Sequence, residues 1–196
     1  MLVDSYYAGM IPKVLVAFLA GSIPFAVLAM LGSGIDIRKV GSGNPGFNNV
    51  LRVSKPRALL TLIGDMGKGF VPVWLLTQPG DPAAYAWLYG FATVFGHCYS
   101  PWLKFNGGKG IATSAGVMLA IFPRWAAVAM LFFVLVRLTG SRRKWREAGM
   151  IASVATWVFF TLLMFLYGDP FAARNAALMT VFLAWRHQQN FRNLFG

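Results

Sequence analysis

Long apolar stretches alternate with short polar loops along this chain of 196 residues. A transmembrane helix needs about 20 mostly apolar residues, or about 17 at the short end. The stretch at 111–122 is too short for an upright span, so it forms either a half-span or a tilted helix extended by its neighbours. The pattern predicts an all-α, polytopic transmembrane helix bundle of about seven spans, at residues 11–31, 58–77, 83–98, 111–122, 125–138, 150–167 and 171–185.

The composition agrees with a membrane protein. Hydrophobic residues make up 57% of the chain and charged residues 12%, whereas soluble domains carry about 25% charged residues. No polar stretch is long enough to form a second, soluble domain. We therefore predict one integral membrane domain over residues 1–196.

The basic residues are distributed unevenly between alternate loops. Of the 18 Lys and Arg residues, 14 fall on one side, Lys13, Arg124 and Arg174 fall on the other, and Lys68 lies inside the second span. The positive-inside rule then places the N-terminus outside and the C-terminus in the cytoplasm. A re-entrant fourth segment would scramble this asymmetry, so seven spans are favoured.

The net charge of +12 indicates anionic partners. Apolar runs separate the basic residues and no compact basic helix appears, which argues against nucleic acid as a partner. Anionic small molecules and the headgroups of membrane lipids fit the pattern better.

The loop at 41–52 is rich in glycine and in hydrogen-bond donors. Glycines allow successive backbone N–H groups to converge on an anion, and an arginine can bind a phosphate through two hydrogen bonds. A simple flexible linker would not need this composition. We predict a phosphate site here, with its candidate residues Ser42, Gly43, Asn44, Asn49 and Arg52.

A second glycine-rich segment precedes the short apolar stretch. Its glycines, Gly107, Gly108 and Gly110, surround Lys109, and this arrangement would place a lysine at a helix N-terminus, where a phosphate is favoured. The spacing differs from that of the P-loop. A helix C-cap is the alternative interpretation of these glycines.

Two charged residues and two histidines accompany the predicted spans. Asp65 and Lys68 lie three residues apart and share one helix face, where they form either a functional pair, with Lys68 as a further candidate for binding a substrate phosphate, or a self-neutralising ion pair. His97 ends the third span, where a capping or hydrogen-bonding role is the commoner one. His187 and Asn190 also share a helix face, at the start of the C-terminal tail.

The remaining polar residues exclude several kinds of site. The chain has two histidines, the single cysteine Cys98 and no carboxylate cluster, so we predict neither a metal site nor a cofactor. No serine-histidine-acid set can be assembled, because Asp36 and Glu147 have no histidine nearby in the sequence.

In combination and order, these motifs resemble those of the bacterial acyl-phosphate-dependent glycerol-3-phosphate acyltransferases, over nearly the whole chain. The matching segments are Gly21-Ser22-Ile23-Pro24-Phe25, the loop 41–52, Asp65-x-x-Lys68-Gly69, Gly96-His97, residues 105–113 and His187-x-x-Asn190.

The chain departs from the pattern of that family at several positions. Residues 47–48 read Phe-Asn where the family has Ala-Thr, and the proline after the third-span histidine falls one position late, at Pro101. Of the family's Ser-Leu-x-Ser stretch only Ser153, with Ser141 as the other candidate, is recognisable. Near the C-terminus the arginine is shifted by one position, to Arg192.

The resemblance implies transfer of a fatty acyl group from acyl phosphate to the sn-1 hydroxyl of glycerol 3-phosphate, which gives lysophosphatidic acid. It also implies a bacterial inner-membrane enzyme that uses no acyl-CoA or acyl carrier protein donor directly. The His-x-x-x-x-Asp signature of soluble acyltransferases is absent, in agreement with this assignment. We expect a monomer or a weak oligomer.

An acyl phosphate is already activated, so the enzyme can act mainly by positioning and charge stabilisation. Arg52 and Lys109 would neutralise substrate phosphates, helped by Ser42, and His187 with Asn190 would orient glycerol 3-phosphate. The hydroxyl proton goes either to a substrate phosphate oxygen or to His187 as general base.

A transporter or flippase for phosphorylated metabolites is the alternative from another class. Such proteins carry internal repeats with paired broken helices. The sequence contains no convincing repeat, and its anion-binding residues collect in the loops on one side.

Overall fold

All regular secondary structure in the computed structural model is helical. The structure describes residues 2–196, with side chains from Gly9 onwards. The all-α prediction is confirmed for these residues. The helices are α1 Leu2–Ser22, α2 Phe25–Ala29, α3 Phe47–Val53, α4 Lys55–Leu76, α5 Ala83–Cys98, α6 Ile111–Ile121, α7 Pro123–Arg142, α8 Ala148–Tyr167, α9 Pro170–Arg186 and α10 Gln188–Phe195, with a 3-10 turn at Pro101–Leu103.

Six of the seven predicted apolar stretches each coincide with a single helix, and the first, at 11–31, is divided between α1 and α2. Four segments are long and apolar enough to cross a membrane, namely Gly9–Ala29, Lys55–Leu76, Pro123–Arg142 and Ala148–Tyr167. α6 is a shorter apolar helix, and α5 and α9 have 16 and 17 residues. The total of seven spans and the orientation of the termini stay predictions.

The first predicted span is broken. The predicted span covers 11–31, and within it α1 ends at Ser22 and α2 begins at Phe25. Pro24 lies between them, and a proline inside a helix removes one backbone donor and clashes with the preceding turn. The break leaves backbone carbonyl groups that need other donors.

The described chain forms two compact units, Met1–Ile121 and Phe122–Gly196. In the first unit α4 packs mainly against α6, and α1 packs mainly against α5. In the second unit α8 packs against both α7 and α9. Trp157 and Phe160 of α8 are buried in the core of the second unit.

Helices α4 and α6 approach each other at two glycines. A Cβ atom on Gly69 would lie 1.9 Å from the Thr113 carbonyl oxygen, and one on Gly116 would lie 2.0 Å from the Met66 carbonyl oxygen. Small residues let transmembrane helices come into backbone contact. This contact fixes α6, and therefore the glycine-rich segment before it, against α4.

Candidate active site

The loop before α3 is built around the buried side chain of Asn49. Its amide nitrogen donates to the carbonyl oxygens of Ile37 (2.9 Å) and Val40 (3.0 Å), and its Oδ1 accepts from the Ser42 N–H (3.1 Å). Three hydrogen bonds from one side chain therefore hold the loop in place. Asn49, predicted as a phosphate ligand, uses its amide group to shape the loop.

The same loop brings Ser42 and Arg52 into one exposed region. Gly41 and Gly43 have φ angles of 57° and 68°, in the left-handed region that favours glycine. A Cβ atom on Gly41 would lie 3.6 Å from Nη1 of Arg52, so the guanidinium lies beside the loop backbone. Asn44 closes the turn, because its N–H points to Oγ of Ser42 at 3.4 Å.

A second arginine near this loop is already paired. Arg38 Nε and Nη2 each lie 2.9 Å from a carboxylate oxygen of Asp36. The Arg38 hydrogen bonds hold the pKa of Asp36 at about 2, well below its usual value. Since Asp36 neutralises Arg38, Arg52 is the better candidate for binding an anion at this loop.

The glycine-rich segment before α6 folds back onto the end of α5. The N–H groups of Gly107 and Gly108 donate to the carbonyl oxygens of Cys98 (3.0 Å) and His97 (3.2 Å). A Cβ atom on Gly108 would lie 2.2 Å from Nε2 of His97, and one on Gly107 would lie 2.0 Å from the His97 carbonyl oxygen. Only glycine fits at these two positions, and both amides donate to the protein itself.

Lys109 follows this turn, and only Gly110 separates it from Ile111, the first residue of α6. The Ser114 N–H donates to the Gly110 carbonyl oxygen (2.8 Å), which opens the helix, and Gly110 has a φ of 85°. The glycine turn therefore leads into α6, while two of its amides also cap the carbonyl end of α5. Lys109 is half-buried beside a helix N-terminus, where the helix dipole favours a phosphate.

Asp65 and Lys68 form a buried ion pair that also reaches His97. Lys68 Nζ lies 2.8 Å from Oδ1 of Asp65, and Nδ1 of His97 lies 3.6 Å from the same oxygen. The exposed fractions are 2% for Asp65 and 6% for both Lys68 and His97. The structure thus joins an ion pair predicted on one helix to a histidine whose partner could not be identified from the sequence.

The break after α1 lies next to this ion pair. Lys68 Nζ donates to the Ile23 carbonyl oxygen (2.6 Å), and Oγ of Ser100 donates to the Ser22 carbonyl oxygen (2.6 Å). The indole N–H of Trp102 donates to Oγ of Ser22 (2.9 Å). Lys68 and Ser100 thus supply side-chain donors to carbonyl groups that the break leaves without helical partners.

His187 and Asn190 belong to the second unit. His187 is buried at the junction of α9 and α10, with Nδ1 2.8 Å from the Leu183 carbonyl oxygen. Asn190 donates its amide to Oε2 of Glu147 (2.7 Å), and Asn193 donates to Oε1 of the same carboxylate (3.2 Å). Glu147, which the sequence left without a role, thus ties α10 to the segment before α8.

The candidate serine in α8 is bonded within its own helix. Oγ of Ser153 donates to the Gly149 carbonyl oxygen (2.7 Å), and the side chain is buried. The other candidate, Ser141, accepts a hydrogen bond from Arg137.

The comparisons with known proteins agree with the motifs. The family model described as glycerol-3-phosphate acyltransferase matches residues 11–196. A protein named glycerol-3-phosphate acyltransferase from Pseudomonas syringae pv. tomato is 39% identical over 92% of this chain and 91% of its own length. Another of that name, from Pseudomonas entomophila, is 40% identical over 93% of this chain and 94% of its own length.

Two solved structures share the fold. They are crystal structures of PlsY (YgiH), described as an integral membrane glycerol 3-phosphate acyltransferase, in a glycerol 3-phosphate form and a lysophosphatidic acid form. They superpose with TM-scores of 0.84 and 0.82 at 31% and 30% identity, over 94% of this chain and 91% of theirs. The resemblance predicted from the motifs is confirmed: the chain belongs to the family of membrane-integral glycerol-3-phosphate acyltransferases.

Proposed function

We propose that this protein transfers a fatty acyl group from acyl phosphate to the sn-1 hydroxyl of glycerol 3-phosphate. The hydroxyl oxygen attacks the acyl carbonyl carbon, the bond from that carbon to the phosphate oxygen breaks, and the products are lysophosphatidic acid and inorganic phosphate. The family match over residues 11–196 is the observation that carries this proposal. Structures of PlsY in a glycerol 3-phosphate form and a lysophosphatidic acid form support it.

The phosphate groups would be bound at two places in the first unit. Arg52 offers a planar guanidinium that can donate two hydrogen bonds to one phosphate, beside the backbone and hydroxyl of the loop at Ser42. Lys109 offers a point charge at the N-terminus of α6. Arg52 and Lys109 would both stabilise the negative charge that develops on the leaving phosphate in the transition state.

The neighbouring residues would support these two cations. Gly43 and Asn44 continue the loop beside Ser42, and Asn49 holds the loop through its three hydrogen bonds. Gly107, Gly108 and Gly110 give the turn before α6 the shape that presents Lys109. No cofactor is required, because the acyl phosphate is already activated.

His187 and Asn190 would orient glycerol 3-phosphate. When Nδ1 of His187 donates to the Leu183 carbonyl oxygen, the neutral imidazole carries its acceptor on Nε2. Nε2 would then receive the hydroxyl proton if His187 is the general base. The competing route sends that proton to a phosphate oxygen of a substrate.

We also propose that the enzyme lies in the inner membrane with seven spans, its N-terminus outside and its phosphate sites open to the cytoplasm. The distribution of basic residues supports this orientation. The acyl chain would stay between the helices, at the level of the phosphate sites.

Purified protein supplied with acyl phosphate and glycerol 3-phosphate should form lysophosphatidic acid without added metal. Arg52→Ala and Lys109→Ala should each lower kcat/KM by about 10²–10³, the usual loss for an electrostatic contact to the transition state. Arg143→Ala and Lys104→Ala, at exposed positions, are the matched controls. Normal turnover in both test variants contradicts the phosphate assignment.

The pH–rate profile of His187→Ala separates the two proton routes. If His187 is the base, one limb of the wild-type profile disappears; if both limbs remain, a substrate phosphate takes the proton. Absence of product, together with counterflow of glycerol 3-phosphate in liposomes, would favour a transporter instead.

A further inference from the structure

Three interruptions of the helical framework in the first unit meet around Asp65 and Lys68. α1 breaks at Ser22, α5 ends at Cys98, and the glycine turn that leads into α6 folds back onto that end. Asp65 lies ten residues after Lys55, the first residue of α4, which is about 15 Å along the helix axis. The turn that carries Lys109 is therefore set deep along α4 and not at its end.

Helix ends in an apolar environment leave carbonyl groups that need donors. At the break in α1, Lys68 supplies a side-chain donor to the Ile23 carbonyl oxygen, beside the Phe25 N–H. Gly107 and Gly108 supply the donors for Cys98 and His97 at the end of α5. A lysine side chain and a glycine turn thus perform the same task at neighbouring positions.

The imidazole of His97 connects these two places. One side of the ring faces the Asp65 carboxylate at 3.6 Å, and Nε2 lies where a Cβ atom on Gly108 would be only 2.2 Å away. The ring is buried, so its position is set by its neighbours and not by solvent. The position of Gly108, one residue before Lys109, therefore depends on where Asp65 holds His97.

We propose that Asp65, Lys68 and His97 are positioning residues that fix the depth and orientation of the turn presenting Lys109. In this assignment the Lys68 ammonium binds Asp65 and the Ile23 carbonyl group, and it does not contact substrate. The inference rests on the proposed phosphate role of Lys109, since without that role the turn has nothing to present.

Hydrogen exchange gives a test that does not depend on turnover. In Asp65→Asn and in His97→Ala, the amide protons of Gly107 and Gly108 should exchange at least about tenfold faster than in the wild type, because the turn loses its support. Ile63→Ala, an exposed position on the same helix, should leave the exchange unchanged. Unchanged exchange in both test variants overturns the proposal.

A double-mutant cycle tests the route through Lys109. His97→Ala should lower kcat/KM at least about tenfold in the wild type, but less than twofold in the Lys109→Ala background, because the residue it positions is already gone. A merely structural role lowers the fraction of folded enzyme by the same factor in both backgrounds. Equal factors would therefore refute positioning. Asp65→Asn, which keeps the side-chain shape, repeats the cycle if His97→Ala does not fold.

The two experiments separate this inference from the proposed function. If the wild-type protein forms no lysophosphatidic acid, the proposed function fails, while the exchange rates still report whether His97 and Asp65 hold the turn. If activity is normal in the wild type and the cycle gives equal factors, only the positioning role fails.

Discussion

The contact between α4 and α6 can be probed by replacing a single glycine. A Cβ atom on Gly69 would lie 1.9 Å from the Thr113 carbonyl oxygen, whereas real Cβ atoms essentially never come closer than 3.0 Å. Gly69→Ala must therefore move the two backbones apart by about 1.1 Å, the difference between these distances. The atom in the way belongs to a helix backbone, which cannot rotate aside as a flexible side chain can.

Gly67 offers a matched control on the same helix. A Cβ atom there would have no heavy atom within 4 Å, so Gly67→Ala changes only the helix propensity, which favours alanine by about 1 kcal/mol. Gly69→Ala gains the same propensity but suffers overpacking, which costs about 1–3 kcal/mol. Since the clash is with backbone atoms, we expect an overpacking cost at the upper end of this range, about 3 kcal/mol. The expected difference in unfolding free energy between the variants is therefore about 3 kcal/mol.

Reversible unfolding of the two variants in the same detergent micelles measures this difference. Gly69→Ala should unfold at lower denaturant than the wild type, and Gly67→Ala at equal or higher denaturant. Gly69→Ala should also raise the KM for the substrate whose phosphate Lys109 binds, because a shift of α6 also moves the turn that precedes it. If Gly69→Ala is as stable as Gly67→Ala, the close contact between α4 and α6 does not exist as described.

Three further predictions concern the loops. Asn49→Asp should increase proteolysis of the loop, because a carboxylate oxygen would replace the amide donor that faces the buried Ile37 carbonyl group, leaving that group unpaired at a cost of about 1–3 kcal/mol; undiminished protease resistance would contradict this. The pKa of Asp36 is lowered from 3.8 to about 2 by its bonds to Arg38, so its small stabilisation is fully present above about pH 4 and is lost as the pH falls through 2. The difference in stability between wild type and Asp36→Asn should shrink over that window, and a constant difference would refute the assignment. Glu147→Gln removes one of the two acceptor oxygens used by the asparagines of α10 and should raise the KM for glycerol 3-phosphate at unchanged global stability, measured by steady-state kinetics and unfolding.

The apolar runs located every long helix that the structure describes, because lipid and core burial both require them. It could not explain the short stretch at 111–122, which the sequence left as either a half-span or a tilted helix. The structure gives the reason for the short length of α6. The turn before α6 packs against His97, whose partner Asp65 lies about 15 Å along α4 from its first residue. α6 therefore begins beside the middle of α4, not beside its first turn.

The candidate site was predictable only where its chemistry is local. The loop at 41–52 and the turn before α6 each carry their glycines and donors within a few residues, so their character can be deduced from sequence alone. The contact of Asp65 with His97, and that of Asn190 with Glu147, join residues on different elements. Such contacts depend on how helices pack, which neither spacing nor composition specifies.

The spacing of Asp65 and Lys68 also bears on how the protein reaches the membrane. A lone Asp or Lys near the centre of an inserting helix costs about 2.5–3.5 kcal/mol. Two separate charges would therefore strongly disfavour the membrane insertion of a helix of modest hydropathy such as α4. Because both residues lie on one turn of the same helix, they can neutralise each other while α4 is entering the bilayer, before α5 and α6 have been synthesised. Replacing either residue alone should therefore hinder insertion more than replacing both.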